Sequence, residues 1–290
     1  MSFLLRHERV VWLLAMLLLV TAIAVDRLHQ QSGVSSARFR DEARRVYLND
    51  QSRSARPLRV LFVGNSLTES NNLPEMIAKL ARAAGEERNF EYRKIIFGGF
   101  GLSEHIAANR AALELRSGTW DAVVLQEQGQ RPGWRSSDRE AKFFAPARQL
   151  DSMIRAAGSK TVFYMTFART EGDYINFNQD TYEAMQKRLI DGYETIAKEL
   201  KVDVAPVGKV WFAAWRRYPE MHLWAPDGMH PSVAGTYLAA CTFYTYFYQR
   251  SPVGISYTAG LTESDALAIK RITAEVVISG SASESAASGK

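Results

Sequence analysis

Leu58-Arg59-Val60-Leu61-Phe62-Val63-Gly64-Asn65-Ser66-Leu67-Thr68 carries the first decision about this chain. Leu58–Val63 is apolar and rich in β-branched residues, the signature of a strand buried on both faces. Gly64 permits a tight turn at its end. Ser66 then lies just past a buried strand and just before a helical pattern. A serine so placed stands at the open edge of a sheet, where its hydroxyl can be exposed and the turn amides can face a developing oxyanion. The simpler alternative is that Ser66 or Thr68 caps the helix that follows.

Downstream, the same alternation repeats. Leu73–Ala84 places Leu73, Met76, Ile77, Leu80 and Ala81 at helical spacing. Strands are expected over Tyr92–Phe97, Ala122–Leu125, Thr161–Thr166 and Val202–Val207. Helices are expected over His105–Arg116, Glu140–Ala157, Thr181–Leu200, Lys209–Arg217, Val233–Tyr248 and Glu263–Ile278. Strands alternating with helices imply an α/β fold, parallel pairing and helices on both sheet faces. Ligands of such sheets bind outside the carboxyl ends of the strands, so residues at strand ends carry functional weight.

Composition sets the bounds. The 290 residues carry 36 Lys+Arg against 31 Asp+Glu, for a net charge of +5, and 47% are hydrophobic. This is globular usage, and the length suits one large domain or two small ones. The excess charge is thinly spread, and no basic run singles out nucleic acid as a ligand. Cys241 is the one cysteine, so no internal disulfide can form, and its place on an apolar helix face reads as a small buried side chain. The 5 histidines lack H-x-H or H-E-x-x-H spacing, which argues against a metal.

The N-terminus reads as an address. Arg6 and Arg9 precede an uncharged apolar stretch, Val10–Val25, which ends at Asp26. It is short for a spanning helix of ~20 residues and fits the apolar part of an export signal. Ala22-Ile23-Ala24 supplies a small-x-small exit, whereas an uncleaved anchor with its basic end inside would suit the positive-inside rule equally. The expected organisation is therefore a signal peptide or membrane anchor over 1–25 and a polar tether over 26–56. A folded domain over 57–278 and a disordered Ser/Ala/Gly-rich tail over 279–290 follow. The protein is expected to be exported. It would be periplasmic or extracellular if cleaved, or held at the inner membrane through residues 10–25.

A second constellation lies late in the chain, at Ala225-Pro226-Asp227-Gly228-Met229-His230-Pro231-Ser232. A serine hydroxyl is a weak nucleophile near neutral pH and needs a base. Neutral imidazole can take the proton, and a carboxylate can hold the imidazole in the right tautomer. Asp227 and His230 lie three apart in a Gly/Pro loop before a helix, where both can point to one spot. Taken alone, they could equally be a turn aspartate and a surface histidine. With Ser66 they supply nucleophile, base and orienter. The order Ser, Asp, His also occurs in α/β-hydrolases, but no G-x-S-x-G is present here.

Gly64-Asn65-Ser66-Leu67 and Asp227-Gly228-Met229-His230 together resemble the SGNH/GDSL hydrolases, serine esterases that include acetylesterases. The first segment matches that family's GDSL block with Asn for Asp, and the second its D-x-x-H block. The resemblance covers roughly residues 58–250. It implies a three-layer α/β/α flavodoxin-like sandwich with a parallel sheet of about five strands. It also implies catalysis by Ser66, Asp227 and His230 without a cofactor. The family's oxyanion hole combines the serine amide, a glycine after the second strand and an asparagine after the third. Gly98-Gly99-Phe100-Gly101 falls where the glycine belongs, with Gly101 favoured and Gly99 the alternative. The third block departs, because Leu125-Gln126-Glu127-Gln128-Gly129-Gln130 contains no asparagine. A glutamine amide can donate the same hydrogen bond. Gln128 is expected in that role, with Gln126 and Gln130 behind it.

Other residues carry weaker signals. His105 follows the glycine loop and could line the site, with a backbone contact at the helix start the default reading. Trp211, Trp215 and Trp224, with Tyr218 and Tyr237, could form a substrate platform, with core packing the default. Arg169, Glu171 and Asp173 follow the fourth strand on the ligand side. The expected activity is hydrolysis of an O-acyl ester, such as an O-acetylated carbohydrate of the cell envelope. The expected partners are that small-molecule or glycan ester and, if the N-terminus is uncleaved, the membrane. The alternatives are an envelope acyltransferase using the same residues and a non-catalytic binding module.

Overall fold

A computed structural model describes residues 56–288, and the folded unit begins at Pro57. The expected address, the tether up to residue 55 and residues 289–290 lie outside the described residues. Strand β1, Leu58–Gly64, is buried along nearly its whole length. Alternate side chains pack on opposite faces of the sheet. Val60 and Phe62 join a cluster with helices α2 (Leu73–Ala83), α8 (Val207–Arg217), α9 (Val233–Tyr248) and α10 (Glu263–Ser288). Leu61 and Val63 face the other way, toward α3 (Leu102–Ala108), α4 (Arg110–Ser117), α6 (Ala145–Ala156) and the end of α7 (Tyr182–Leu200). Burying a side chain such as Phe62 or Leu61 contributes about 2–3 kcal/mol.

The remaining strands are β2 (Phe90–Ile96), β3 (Ala122–Leu125), β4 (Lys160–Tyr164) and β5 (Asp203–Ala205). All pairs are parallel, in the order β2-β1-β3-β4-β5. Helices cover both faces, which gives a three-layer α/β/α sandwich. The strand order reverses between β1 and β3, and that switch point is where ligands of doubly wound sheets bind. Two segments meet there: the short helix α1, Ser66–Glu69, after β1, and the glutamine loop after β3.

Several boundaries depart from expectation for local reasons. β5 is shorter than Val202–Val207, because Pro206 ends the strand and α8 begins at Val207. The helix expected over His105–Arg116 starts at Leu102 and breaks at Asn109, which adopts left-handed φ of 54° and divides α3 from α4. The helix expected from Glu140 begins instead as α5, Ser136–Arg139, and passes through a π-helical turn, Glu140–Phe144, before α6. Helical backbone in α10 runs on to Ser288, through the segment expected to be a disordered tail from Ser279. Alanine and serine there do not by themselves stop a helix as proline would. Among the described residues, no helix is long and apolar enough to cross a membrane.

Candidate active site

The turn after β1 is built around missing atoms and buried bonds. A Cβ on Gly64 would lie 2.7 Å from Gln126 Oε1 and 2.8 Å from Thr68 Oγ1, so a glycine is required by crowding. Asn65 caps α1: its Oδ1 accepts from the Leu67 amide at 3.1 Å, and its Nδ2 donates to Phe100 O at 2.7 Å. An aspartate could make the first bond but not the second, which ties the nucleophile turn to the glycine loop. Beneath them lies Gln126, fully buried. Its Oε1 accepts from the Asn65 amide and from Thr68 Oγ1, both at 2.9 Å. His105 packs below the same turn. Its Nε2–H donates to Gly64 O at 2.8 Å, and burial lowers its pKa, keeping the imidazole neutral.

The late loop is clamped at its base and closed by its own bonds. Ser232 N–H donates to Leu223 O and Ala225 N–H to His230 O, and Trp224 bridges to Pro231. Within it, Asp227 Oδ1 accepts the amides of Met229 (2.9 Å) and His230 (3.0 Å). Asp227 Oδ2 accepts from His230 Nδ1–H at 2.6 Å. The His230 bond and these two amides hold the Asp227 carboxyl at about 2, although the side chain is 41% exposed. Gly228 has φ of 66°, and a Cβ there would lie 2.3 Å from Thr170 Oγ1, so both conformation and space demand glycine.

The two segments meet. Ser66 Oγ–H donates to His230 Nε2 at 2.9 Å, between residues 164 apart in sequence. Asn71 supports the meeting. From left-handed backbone just after α1, its Nδ2 donates to Thr236 Oγ1 (2.8 Å) and Pro231 O (3.2 Å). Thr170 N–H donates to Gly228 O at 3.0 Å, so the loop after β4 touches the Asp227 turn as well. Ser66 N–H, at the first position of α1, has no acceptor among the described residues.

The structure separates the three glutamines. Gln126 is committed to the nucleophile turn, and its Nε2 donates to Glu127 O at 2.6 Å. Gln130 is buried, with its Nε2 donating to Asp173 Oδ1 at 2.7 Å. Gln128 is half-buried and uses one Nε2 proton on Gln130 Oε1 at 3.2 Å, which leaves the second proton free. The expectation for Gly101 requires correction. Its amide donates to Glu104 Oε2 at 2.9 Å, a side chain reaching back from the first turn of α3, so that proton is spent. Gly99, the alternative, sits in the turn closed by Phe100 N–H to Phe97 O, with φ of 73° and no acceptor for its amide among the described residues.

Sequence reasoning missed Asn71 and Glu127. Asn71 belongs to no motif, and Glu127 lies within the glutamine block without a role of its own there. Asn71 is recognisable only through Pro231 and Thr236, and Glu127 through its bond to the Leu102 amide. Of the tryptophans, Trp211 is fully buried and stacks on Phe167 with centroids 3.6 Å apart, and Trp224 packs edge-on to Tyr182. Both serve as packing. Arg169 is half-buried beside Thr170, and Asp173 anchors the β4–α7 loop by accepting from Gln130, Trp134 and Asn176. Among the described residues, no group of three or more His, Cys, Asp or Glu side chains is arranged to hold a metal ion.

The fold recurs in solved proteins. A protein from Slackia heliotrinireducens described as an SGNH hydrolase superposes with a TM-score of 0.54 at 29% identity, covering 65% of this chain and 97% of its own. The chain belongs to the SGNH/GDSL hydrolase superfamily. A DUF4886 family protein from Bacteroides uniformis superposes on this SGNH domain with a TM-score of 0.64 at 18% identity, covering 77% of this chain and 95% of its own. The acetyl xylan esterase AlAXEase gives 0.53 at 15% identity over 65% of this chain and 99% of its own. These two, at low identity, share the SGNH fold. No protein-family model matches the chain, and no curated protein matches it.

Proposed function

We propose that this SGNH-family chain is a serine-dependent carboxylic-ester hydrolase that removes O-acyl groups, in particular O-acetyl groups on carbohydrate of the cell envelope. One observation carries the reading: the hydrogen-bonded series Ser66 Oγ, His230 Nε2, His230 Nδ1, Asp227 Oδ2, with links of 2.9 and 2.6 Å. This geometry poises the serine for proton removal as it attacks.

His230 Nε2 takes the Ser66 proton while Oγ bonds to the ester carbonyl carbon. Negative charge moves to the carbonyl oxygen, where Ser66 N–H, Gly99 N–H and the free Gln128 Nε2 proton are the donors to stabilise it. Asp227, ionised at neutral pH, stabilises the imidazolium. Collapse breaks the ester C–O bond, and His230 returns its proton to the leaving alcohol. Water, deprotonated by His230, then adds to the acyl-serine. The acid leaves, and Ser66 regains its proton.

The carbohydrate assignment is supported by the acetyl xylan esterase that shares the fold. The envelope assignment rests on the basic start at Arg6 and Arg9, the apolar Val10–Val25 and the Ala22-Ile23-Ala24 exit. The test is turnover of acetylated xylo-oligosaccharides and of an activated acetyl ester by the purified full chain. Ser66→Ala is expected to lower kcat by about 10⁴-fold or more. Normal turnover in Ser66→Ala would overturn the reading. Acetyl transfer to an added sugar, in place of acetate release, would make the chain an acyltransferase.

A further inference from the structure

Two of the proposed oxyanion donors sit on loops beyond the ends of their strands, where the sheet ladder no longer holds them: the glycine loop past Ile96 and the glutamine loop past Leu125. One side chain joins the two. Glu127 is fully buried between them. Its Oε2 accepts the Leu102 amide at 3.0 Å, fixing the start of α3 directly after the glycine loop. Its Oε1 accepts the Gln128 amide at 2.6 Å, fixing the backbone of the glutamine with the free side-chain proton. Arg131 Nη1 approaches the same oxygen at 3.4 Å, and Arg131 also binds Glu104 through both terminal nitrogens at 2.7 and 2.9 Å. Glu104 in turn accepts the Gly101 amide. Gly101 makes room for the group: a Cβ there would lie 1.9 Å from Glu127 Oε1 and 2.2 Å from Arg131 Nη1.

We infer that Glu127 is a positioning residue that sets the spacing between the glycine loop and Gln128 and thereby preorganises the oxyanion hole. The inference rests on the serine-esterase reading. Burying a carboxyl is costly, and an apolar side chain could fill the same space without that cost. What an apolar residue could not do is accept amides from two loops at once. Donors aimed at developing charge are effective only when held there before the reaction, so loosening the brace is felt in the transition state more than in substrate binding.

The test measures kcat and KM for an activated acetyl ester, together with the affinity of an aryl boronic acid, whose tetrahedral serine adduct places an oxygen in the oxyanion hole. Glu127→Gln keeps size and burial but turns an N–H toward one of the two amides or Arg131. It is expected to lower kcat by roughly 10- to 100-fold, leave KM within about threefold, and weaken the boronate by a factor matching the loss in kcat. Gly101→Ala drives a methyl against the same carboxyl oxygen and is expected to give the same pattern, so the question stays open to answer should Glu127→Gln fail to fold. A folded Glu127→Gln or Gly101→Ala protein with unchanged kcat and boronate affinity overturns the inference, as does a change confined to KM. Ser66→Ala, assayed alongside, reports on the serine reading separately. If it turns over normally, that reading falls. If it is inactive while the Glu127 and Gly101 variants match wild type, only the brace falls.

Discussion

The two turns that meet at the site are built in opposite ways. The Ser66 turn is buried and held from a distance, by Gln126, by Phe100 O and by His105 beneath Gly64. The Asp227–His230 turn is partly exposed, and its bonds close within three residues. The nucleophile is therefore placed by the sheet and the loops that cross it, whereas base and acid are placed by one loop's own conformation. Two tethers, Asn71 to Pro231 and Thr170 to Gly228, bring that loop to the sheet. The difference teaches where damage should register. Changes in the late turn should cost activity with little loss of stability, and changes beneath the early turn should cost both.

The largest effect expected in the late turn comes from His230→Ala, which removes the only base in reach of Ser66 Oγ among the described residues. A loss of about 10⁴-fold in kcat/KM is expected. Asp227→Ala should lose less, about 10²-fold, because the exposed carboxylate acts through solvent-screened charge and water can partly replace it at Nδ1. Steady-state kinetics on both, with thermal melts within about 2 °C of wild type, would uphold the contrast. Equal losses would mean that Asp227 acts as strongly as a buried carboxylate.

Gln126→Ala probes the early turn. It strands the Asn65 amide and the Thr68 hydroxyl, both buried and both donating to one oxygen. Leaving two such groups unpaired costs about 3 kcal/mol. Urea unfolding should show this loss, and kcat should fall with it as Ser66 shifts. A Gln126→Ala protein as stable as wild type would show that the turn is held by its own backbone after all, like its partner.

The same asymmetry governs what is legible in the sequence. Asp227 and His230 are legible because their geometry is local: three residues apart in a Gly/Pro loop, they have little freedom to point elsewhere. The five-stranded α/β fold is legible because β1, β3 and β4 are short apolar runs between helical patterns. Gly101 misled because its amide is claimed by Glu104, three residues on, and the helix start competing for that proton was placed too late at His105. Gln126, Gln128 and Gln130 look alike in sequence, and only their partners, Asn65, a free proton and Asp173, tell them apart. Asn71 carries no sequence signal because its partners, Pro231 and Thr236, lie far along the chain.

The smallest expected effect sharpens the contrast between exposed and buried carboxyls through pH. Asp227 has its pKa lowered to about 2 by His230 and two amides. Between that value and the ordinary carboxylate range, the unfolded chain binds the proton and the folded one does not. Its stabilisation is therefore present above about pH 4 and lost as pH falls toward 2, and solvent screening keeps it small. Glu127 is pushed the other way, up to about 7, by burial that its two amides and Arg131 only partly offset. Here the folded chain holds the proton more tightly. Its contribution is fully present below about pH 4.5 and is lost as pH rises through 7. The slope of melting temperature against pH should thus differ from wild type on the acid side, between about pH 2 and 4, for Asp227→Ala and between about pH 5 and 8 for Glu127→Gln. A Glu127→Gln profile parallel to wild type between about pH 5 and 8 would mean that Glu127 stays ionised in the fold and that its amide donors outweigh its burial.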